Sequence, residues 1–418
     1  MSPAAAAPPF RVVAAALRQT TERLALELTQ PAAAAPDWDE FEWDVARAAA
    51  AMQGISTLLA KRLQWRGSER WQNFLDTQRE QSMRRDALLG ELLARIDRAT
   101  RRENVAVIAL KGAALRALGI YESGDRPMAD IDLLARPEDF PALARALRTL
   151  DFHQAFVMRR HAVFAGDAAA VPGVFGEHID NPLKIEVHAR IAEPLPVTVV
   201  DITAQVAAGI RAPGINAYPD RAALLAHLLL HAAGNMRAHC LRLLQLEDIA
   251  RLACDMTERD WHELLRSGGP DGCWWGLPAL LLAQRYCGAT IPDAVLAQFA
   301  ALCPPRLKRA VHRNTLTDVS WSNLRIAAFP GIEWARSPLE ALRYAKTRIL
   351  PNKAALGELE IAENAMPALR TIPWYGQPHA ARIVRWLFTR PPRVQTMRSV
   401  LDALAAGRQD GVPVNVRS

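Results

Sequence analysis

One short apolar run with two acidic residues limits what this chain can fold into. Asp130 and Asp132 flank a single apolar residue, Ile131, and two leucines follow them. Alternate side chains of a β-strand leave the same face, so both carboxylates point one way while Ile131 enters a core. Like charges held this close repel one another, and a bound cation usually compensates. We therefore predict a strand whose acidic face binds a divalent metal ion such as Mg²⁺.

The preceding segment predicts a second strand followed by a helix. Residues 105–110 are apolar and rich in β-branched side chains, Lys111 and Gly112 come next, and residues 113–118 favour a helix. A glycine at such a junction lets backbone N–H groups approach a phosphate, which the N-terminus of a helix also favours. We expect Lys111 to neutralise a phosphate oxygen and Arg126 to hold a phosphate through two N–H groups.

A later strand carries the third acid. Residues 183–190 alternate strictly, which places Glu186 and His188 on the same side. Asp130, Asp132 and Glu186 are the predicted metal ligands, with Mg²⁺ or Mn²⁺ as the ion, because carboxylate oxygens suit these cations. In the competing interpretation the aspartates cap a turn and Glu186 lies on a solvated face. His188 is a supporting candidate that orients Glu186, contacts substrate, or serves only as a structural hydrogen-bonding partner.

Two other candidates also have purely structural interpretations. Arg126 could form a salt bridge with a neighbouring acid, either Glu122 or Asp125. His227 and His231 have the spacing of a helical metal pair, but a zinc-protease motif would need a glutamate directly after the first histidine. We expect these two histidines to pack and hydrogen-bond between the helical region and the α/β core.

Composition sets outer limits on the class of protein. The 418 residues (46.1 kDa) leave room for two or three domains, and 50% apolar with 23% charged residues indicates a globular chain. The net charge of +7 suits an anionic ligand such as a nucleotide or nucleic acid, although an Arg- and Ala-rich chain from a GC-rich genome gives the same balance. The sequence has no Lys/Arg run interleaved with aromatic residues, so nothing beyond the net charge supports nucleic-acid binding.

The motifs of other enzyme classes are missing from the sequence, and we predict a cytoplasmic protein without membrane association. There is no G-x-S-x-G motif, Walker P-loop, G-x-G-x-x-G motif or zinc-spaced Cys/His cluster. The five cysteines form no C-x-x-C pair, which indicates reduced thiols. The N-terminus does not have the pattern of a signal peptide, and the most apolar stretch, residues 222–233, is too short to cross a bilayer.

The pattern along the chain predicts an α+β fold, with a small mixed-sheet core embedded in predominantly helical N- and C-terminal regions. The tryptophans that precede the core are expected to fill a helical bundle rather than to stack on a nucleobase. The predicted units are an Ala/Pro-rich segment (1–36), a helical region (37–102), the α/β core (103–200), a helical domain (201–300) and a helical region containing Trp, Arg and Pro (301–418).

The order of these elements resembles the nucleotidyltransferase superfamily of DNA polymerase β: strand, Lys-Gly, helix, Asp-x-Asp strand, helix, and a later strand with one more acid. Within that superfamily, the chain is similar to a bacterial family of uncharacterised nucleotidyltransferases over roughly residues 100–255. The superfamily's Gly-Ser signature reads Lys-Gly here, so no serine is present to hold a phosphate. The segments that carry the similarity are residues 110–115, Arg126 with 130–134, 185–188, 225–231 and 243–250.

The resemblance implies a Mg²⁺-dependent enzyme that moves a nucleoside monophosphate from an NTP to a hydroxyl-type acceptor and releases pyrophosphate. It implies that the three acids are catalytic and bind metal, and that Lys111, Gly112 and Arg126 contact the nucleotide. The acceptor stays open among a small molecule, a peptide, a protein and an RNA. The alternatives are a catalytically inactive nucleotide-binding scaffold or sensor, and a toxin-type enzyme that modifies tRNA or protein.

Overall fold

Four helices make up the N-terminal part of the protein. The computed structural model describes residues 8–158, 161–167, 176–351, 377–389 and 392–409. The side chains of Asp39 and Ser68 accept hydrogen bonds from backbone N–H groups in the first turns of the second and fourth helices, and so cap them. The helices are α1 (Phe10–Glu27), α2 (Glu40–Gln53), α3 (Ser56–Arg62) and α4 (Glu69–Arg102).

A mixed sheet follows α4, as the sequence predicts. The strands of the described residues are β1 (Ala106–Ala109), β2 (Asp130–Ala135), β3 (His153–Val157), β4 (His161–Ala165), β5 (Lys184–His188), β6 (Ala192–Pro194), β7 (Val199–Asp201) and β8 (Gly214–Asn216). Six of them form one sheet in the order β3-β4-β5-β2-β1-β8, and β6 pairs with β7 separately. The β2–β5 and β1–β8 pairs are parallel, and the others are antiparallel.

The sheet extends past residue 200, where the α/β core was expected to end. Strand β8 lies in a region predicted to be helical, and it pairs with β1 at the edge of the sheet. The helices of the core are α5 (Lys111–Ala117), α6 (Phe140–Arg148) and α7 (Thr203–Ala207), with a 3₁₀ turn at Pro137–Asp139 before α6.

The acidic strand β2 lies inside the sheet and alternates between two cores. Ile131 and Leu133 pack with α4 and α6 on one face of the sheet. Leu134 packs with α7 on the opposite face. Because side chains alternate along a strand, Asp130 and Asp132 share the face of Leu134, which is turned towards the helices that come later in the chain.

The remaining elements are nearly all helical. They are α8 (Arg221–Arg237), α9 (Leu243–Cys254), α10 (Glu258–Ser267), α11 (Leu277–Cys287), α12 (Asp293–Leu302), α13 (Pro305–Val311), α14 (Leu316–Val319), α15 (Pro338–Ile349), α16 (His379–Thr389) and α17 (Val394–Gln409), with 3₁₀ turns at Gly269–Asp271, Trp274–Gly276 and Ile332–Trp334. The architecture is therefore the predicted α+β fold with helical flanks. Within the described residues, no helix combines the length and apolarity needed to cross a membrane.

One large core joins the N-terminal helices to those that follow the sheet. Leucines from α1, α3, α8 and α11 belong to the same buried cluster. The tryptophans of the N-terminal region lie in it too: Trp71 is fully buried, and the ring centroid of Trp43 lies 4.9 Å from that of Trp38 and 5.5 Å from that of Trp71. The prediction that these tryptophans fill a helical core is confirmed. The helices that precede the α/β core in the sequence therefore pack on those that follow it.

Candidate functional site

Strands β2 and β5 bring the three predicted acids together. In the parallel β2–β5 pair, Asp132 lies opposite Glu186, while Asp130 lies opposite Lys184. All three acids line one cleft of about 320 Å³ between the sheet and helices α8 and α9. The convergence depends on the strand alternation of Asp130 and Asp132 and on a register that the sequence does not specify.

The buried Asp132 carboxylate holds two hydrogen bonds from basic side chains. Its Oδ1 accepts one from Nζ of Lys111 at 2.8 Å and one from Nε2 of His188 at 2.9 Å. Burial acts to raise the pKa of Asp132, but the charge of Lys111 and the hydrogen bond from His188 hold that pKa below its ordinary value. Burial likewise acts to lower the pKa of Lys111, and the carboxylates of Asp132 and Asp130 outweigh it, so this pKa is raised. Lys111 and Asp132 thus form a pair in which both groups are charged.

The other two acids are held in an environment that disfavours their charge. Burial raises the pKa of Asp130, and the neighbouring Asp132 carboxylate adds to the effect. Burial followed by the charges of Asp132 and Asp130 raises the pKa of Glu186 to about 7. Lys111 supplies one positive charge beside these three carboxylates. The charge balance of the site therefore favours the binding of a further cation.

The strand-to-helix junction has an unusual backbone. Lys111 has a φ of +47°, in the left-handed region that side-chain-bearing residues seldom adopt. Lys111 begins the seven-residue helix α5, and Gly112 follows it and lines the cleft. A Cβ atom at position 112 would overlap Nη1 of Arg126 and Sδ of Met128. The close approach of Arg126 is therefore a steric reason for glycine here, beside the predicted approach of a phosphate.

Arg126 lines the cleft as predicted, but its guanidinium is engaged by Asp248 of α9. Nε donates to Oδ1 at 2.8 Å and Nη2 donates to Oδ2 at 2.7 Å. The neighbours considered as alternative partners, Glu122 and Asp125, pair with Lys61 instead. That interpretation is wrong, and Arg126 joins the segment before β2 to helix α9. Two of its N–H groups are consequently not directed at a ligand.

Two residues of the site were not found from the sequence. Arg242, directly before α9, is exposed on the cleft wall, and its charge acts to lower the pKa of Asp130. His161 begins β4 and lies opposite His188. His161, Glu186 and His188 each place a donor atom within 4.8 Å of the other two. His161 enters the site through the pairing of β4 with β5, which the sequence does not specify.

His227 and His231 of α8 lie close to the site. Together with Lys111, Glu186 and His188 they line a smaller cavity of about 130 Å³. The hydroxyl of Tyr218 lies 2.6 Å from Nδ1 of His227 in a hydrogen bond, and burial lowers the pKa of His227 to about 3. Both histidines therefore pack between α8 and the sheet, as predicted from the absence of a glutamate directly after His227.

A mixed sheet with an Asp-x-Asp strand beside an acid-bearing parallel strand, facing a cleft closed by helices, is the arrangement expected of a nucleotidyltransferase. The sequence profile of the family described as "uncharacterised nucleotidyltransferase" matches residues 39–270. The chain belongs to this family, which the sequence resemblance predicted. It is accordingly a transferase that moves a nucleoside monophosphate. No curated protein and no solved structure matches the chain.

Proposed function

We propose that the protein is a Mg²⁺- or Mn²⁺-dependent nucleotidyltransferase that takes an NTP and transfers its nucleoside monophosphate to a hydroxyl-type acceptor. The observation that carries this proposal is the facing of Asp132 and Glu186 across β2 and β5, with Asp130 on the same face. The three carboxylates meet in a cleft of about 320 Å³, which falls at the lower end of the range of small-molecule sites. Carboxylates gathered at such a place suit a nucleotide bound with its cation.

The donor set fits a hard divalent cation. Three carboxylates offer oxygen ligands, which Mg²⁺ and Mn²⁺ prefer. The raised pKa values of Asp130 and Glu186 mark positions where burial and like charges disfavour the ionised acid, so a cation there stabilises it. Held by Asp130, Asp132 and Glu186, such an ion would neutralise phosphate oxygens and lower the pKa of the acceptor hydroxyl.

Arg242 is our candidate for the triphosphate. In the part of the chain that the structure describes, no carboxylate lies within ion-pair distance of its guanidinium, whereas Arg126 is held by Asp248 and Lys111 by Asp132. A guanidinium matches the geometry of phosphate oxygens through paired N–H groups. Lys111 and Arg126 would then act through their charge and by fixing the walls of the cleft.

Glu186 is suited to receive the proton of the acceptor. In the metal-free site the pKa of Glu186 is about 7, and a cation held by this carboxylate would lower that pKa, so its role as a base rests on its position beside the cation rather than on this value. The acceptor oxygen would attack the α-phosphorus, the bond from that phosphorus to the bridging oxygen would break, and pyrophosphate would leave. His188 fixes the orientation of Asp132 through its hydrogen bond. Positioning and charge neutralisation would supply most of the rate enhancement.

Transfer of the α-phosphate is the direct test. The purified chain is incubated with Mg²⁺ and each NTP, labelled at either the α- or the γ-phosphate, together with separate small-molecule, RNA and protein fractions. We expect label to pass from an α-labelled NTP to one fraction. No label should pass from a γ-labelled NTP, because transfer of the γ-phosphate would indicate a kinase. The fraction that is labelled identifies the class of acceptor.

Variants test which residues are responsible. Asp132→Asn should abolish transfer, and Arg242→Ala should raise the KM for the NTP more than it lowers kcat, since it removes a binding contact. Asp293→Asn, which changes an exposed acid of α12, is the matched control and should transfer normally. Undiminished transfer by Asp132→Asn would rule out the proposed centre.

A further inference from the structure

Strands β4 and β5 place two imidazole rings against the carboxylate of Glu186. His161 and His188 are register partners on these antiparallel strands, and their ring centroids are 5.0 Å apart. Oε2 of Glu186 lies 3.5 Å from Nε2 of His161 and 3.8 Å from Nε2 of His188. All three side chains are mostly shielded from solvent, with 12–22% of their surface exposed. The cluster is therefore built into the sheet and not formed by mobile surface groups.

The spacing of the donor atoms suits a single cation. A four-coordinate ion with bonds of about 2.0–2.1 Å separates neighbouring donors by about 3.3 Å. The two distances from Glu186 exceed this by a few tenths of an ångström, and the donor atoms of the two histidines lie within 4.8 Å of each other, so side-chain rotations would have to bring the three donors together. Nε2 of His188 donates a hydrogen bond to Oδ1 of Asp132 over 2.9 Å, and a cation bound through this nitrogen would replace that hydrogen bond, with Oδ1 as a further oxygen beside the cluster.

The donor atoms of this cluster favour a different ion from the one that suits the three carboxylates of the cleft. Imidazole nitrogen is a good ligand for Zn²⁺, Fe²⁺ and Ni²⁺, whereas Mg²⁺ takes oxygen ligands. Two imidazoles with one carboxylate form a known type of open zinc site, in which a remaining position is left for water or substrate. An all-carboxylate centre and a two-histidine centre are therefore chemically distinct even when they share an acid.

Glu186 stands between two cavities. It lines the cleft of about 320 Å³ together with Asp130 and Asp132, and it also lines the cavity of about 130 Å³ together with His161 and His188. The oxygen that faces the histidines is Oε2. A carboxylate has two oxygens with several lone pairs, so its other side can serve the cleft.

We propose that His161, Glu186 and His188 form a second cation site, which prefers Zn²⁺ or a similar first-row transition ion over Mg²⁺. Binding at this site does not depend on whether the cleft transfers nucleotides. The site shares Glu186 with the proposed catalytic centre, however, and a transition ion bound there would draw this carboxylate away from its role as a base. If the cleft transfers nucleotides, Zn²⁺ should therefore inhibit that reaction.

Cobalt is the probe for this site, because four-coordinate Co²⁺ absorbs strongly in the visible range. The untagged full-length chain, freed of metal by a chelator, is titrated with Co²⁺ in excess Mg²⁺. We expect one equivalent to bind with the intense absorption, to resist displacement by Mg²⁺ and to be displaced by Zn²⁺. His161→Ala should weaken Co²⁺ binding by at least about tenfold. His153→Ala, an exposed histidine on the neighbouring β3, is the matched control and should bind Co²⁺ like the parent chain.

Two further variants make the result decisive. His161→Asn replaces the ring by a polar group of smaller donor strength, and it serves if the alanine variant unfolds. Asp130→Asn removes an acid of the proposed Mg²⁺ centre and should keep Co²⁺ binding while losing nucleotide transfer. If transfer fails in the parent chain and Co²⁺ still binds, the proposed function is wrong and this site stands. Equal Co²⁺ affinity in the parent chain and in His161→Asn, or displacement of Co²⁺ by Mg²⁺, would show that the histidines serve only as hydrogen-bonding partners.

Discussion

The guanidinium of Arg126 and the carboxylate of Asp248 form a two-point ion pair across 122 residues of sequence. Their side chains are 14% and 2% exposed, so the pair is largely removed from water. Asp248 also accepts a hydrogen bond from the hydroxyl of Tyr121 at 2.8 Å. The pair fixes the segment before β2 against α9. It therefore sets how the acidic strand faces the wall of the cleft.

Loss of this pair should destabilise the protein strongly. Arg126→Gln leaves the Asp248 carboxylate buried without its main counter-charge, and breaking a buried pair from one side costs about 3–5 kcal/mol. Arg145→Gln is the control, because Arg145 pairs with Glu103 on the surface, where such pairs contribute about 0–1 kcal/mol. The measurement is the apparent free energy of unfolding in urea. Equal losses in the two variants would contradict a structural role for Arg126.

Gly112→Ala should act through Arg126. The added methyl group overlaps a guanidinium that cannot swing away without giving up Asp248, and overpacking of this kind costs about 1–3 kcal/mol. Gly90→Ala in α4 is the control, because the atoms nearest to the new methyl group are the end of Arg116, whose ion pair with Asp86 is partly exposed and contributes about 0–1 kcal/mol. Thermal melts should show a clear loss for position 112 and little loss, or a gain, for position 90. A loss confined to position 90 would refute the packing argument.

The local parts of the site were predictable because they follow from backbone geometry. Strand alternation alone places Asp130 and Asp132 on one face, and it places Glu186 beside His188. A short apolar run followed by Lys111 and Gly112 was enough to locate the strand-to-helix junction. Each of these predictions uses residues that are neighbours in sequence, so it needs no knowledge of how distant segments pack.

The parts that the sequence could not supply depend on contacts between distant segments. Arg126 has acidic neighbours at Glu122 and Asp125, yet it pairs with Asp248, because the packing of α9 on the sheet decides which carboxylate reaches it. From the sequence, Asp248 is equally suited to an interface and to a substrate-facing role. His161 joins the site only through the register of β4 on β5, which two short strands do not encode locally.

Acid should destabilise the fold through His227. Its folded-state pKa of about 3 lies below the ordinary value of about 6.5, so the unfolded chain binds a proton that the folded chain excludes. The stability it supports is present above pH 6.5 and is lost as pH falls towards the folded-state pKa, by about 1.4 kcal/mol per pH unit. His227→Gln should therefore lose less unfolding free energy than the parent chain between pH 7.5 and pH 5.

An exposed histidine provides the comparison for this effect. His262→Gln, on α10, should keep the pH dependence of the parent chain. Unfolding by urea at the two pH values gives the free-energy difference for each chain. A pH dependence that is the same for His227→Gln and His262→Gln would show that His227 is not the group responsible.

Lys111 should compete with the proposed metal ion for Asp132. Its ammonium lies 2.8 Å from Oδ1 of Asp132 and its raised pKa keeps it charged, so it already supplies part of the compensation that a cation would provide. Lys111→Met removes that charge and leaves the carboxylates mutually repelling. Unit charges about 4 Å apart interact by about 4 kcal/mol at an effective dielectric constant of about 20. Even a third of this, about 1.4 kcal/mol, should tighten Mg²⁺ binding by about tenfold.

The competition can be separated from a general effect of net charge. Lys308→Met removes an exposed lysine of α13 that does not line the cleft, and it should leave Mg²⁺ affinity unchanged. Titration calorimetry with Mg²⁺ alone measures the affinity of each variant, and nucleotide transfer is assayed in parallel. Tighter Mg²⁺ binding with slower transfer in Lys111→Met would mean that the lysine also positions the nucleotide. Weaker Mg²⁺ binding would instead mean that Lys111 organises the carboxylates for the ion, and the competition argument would fail.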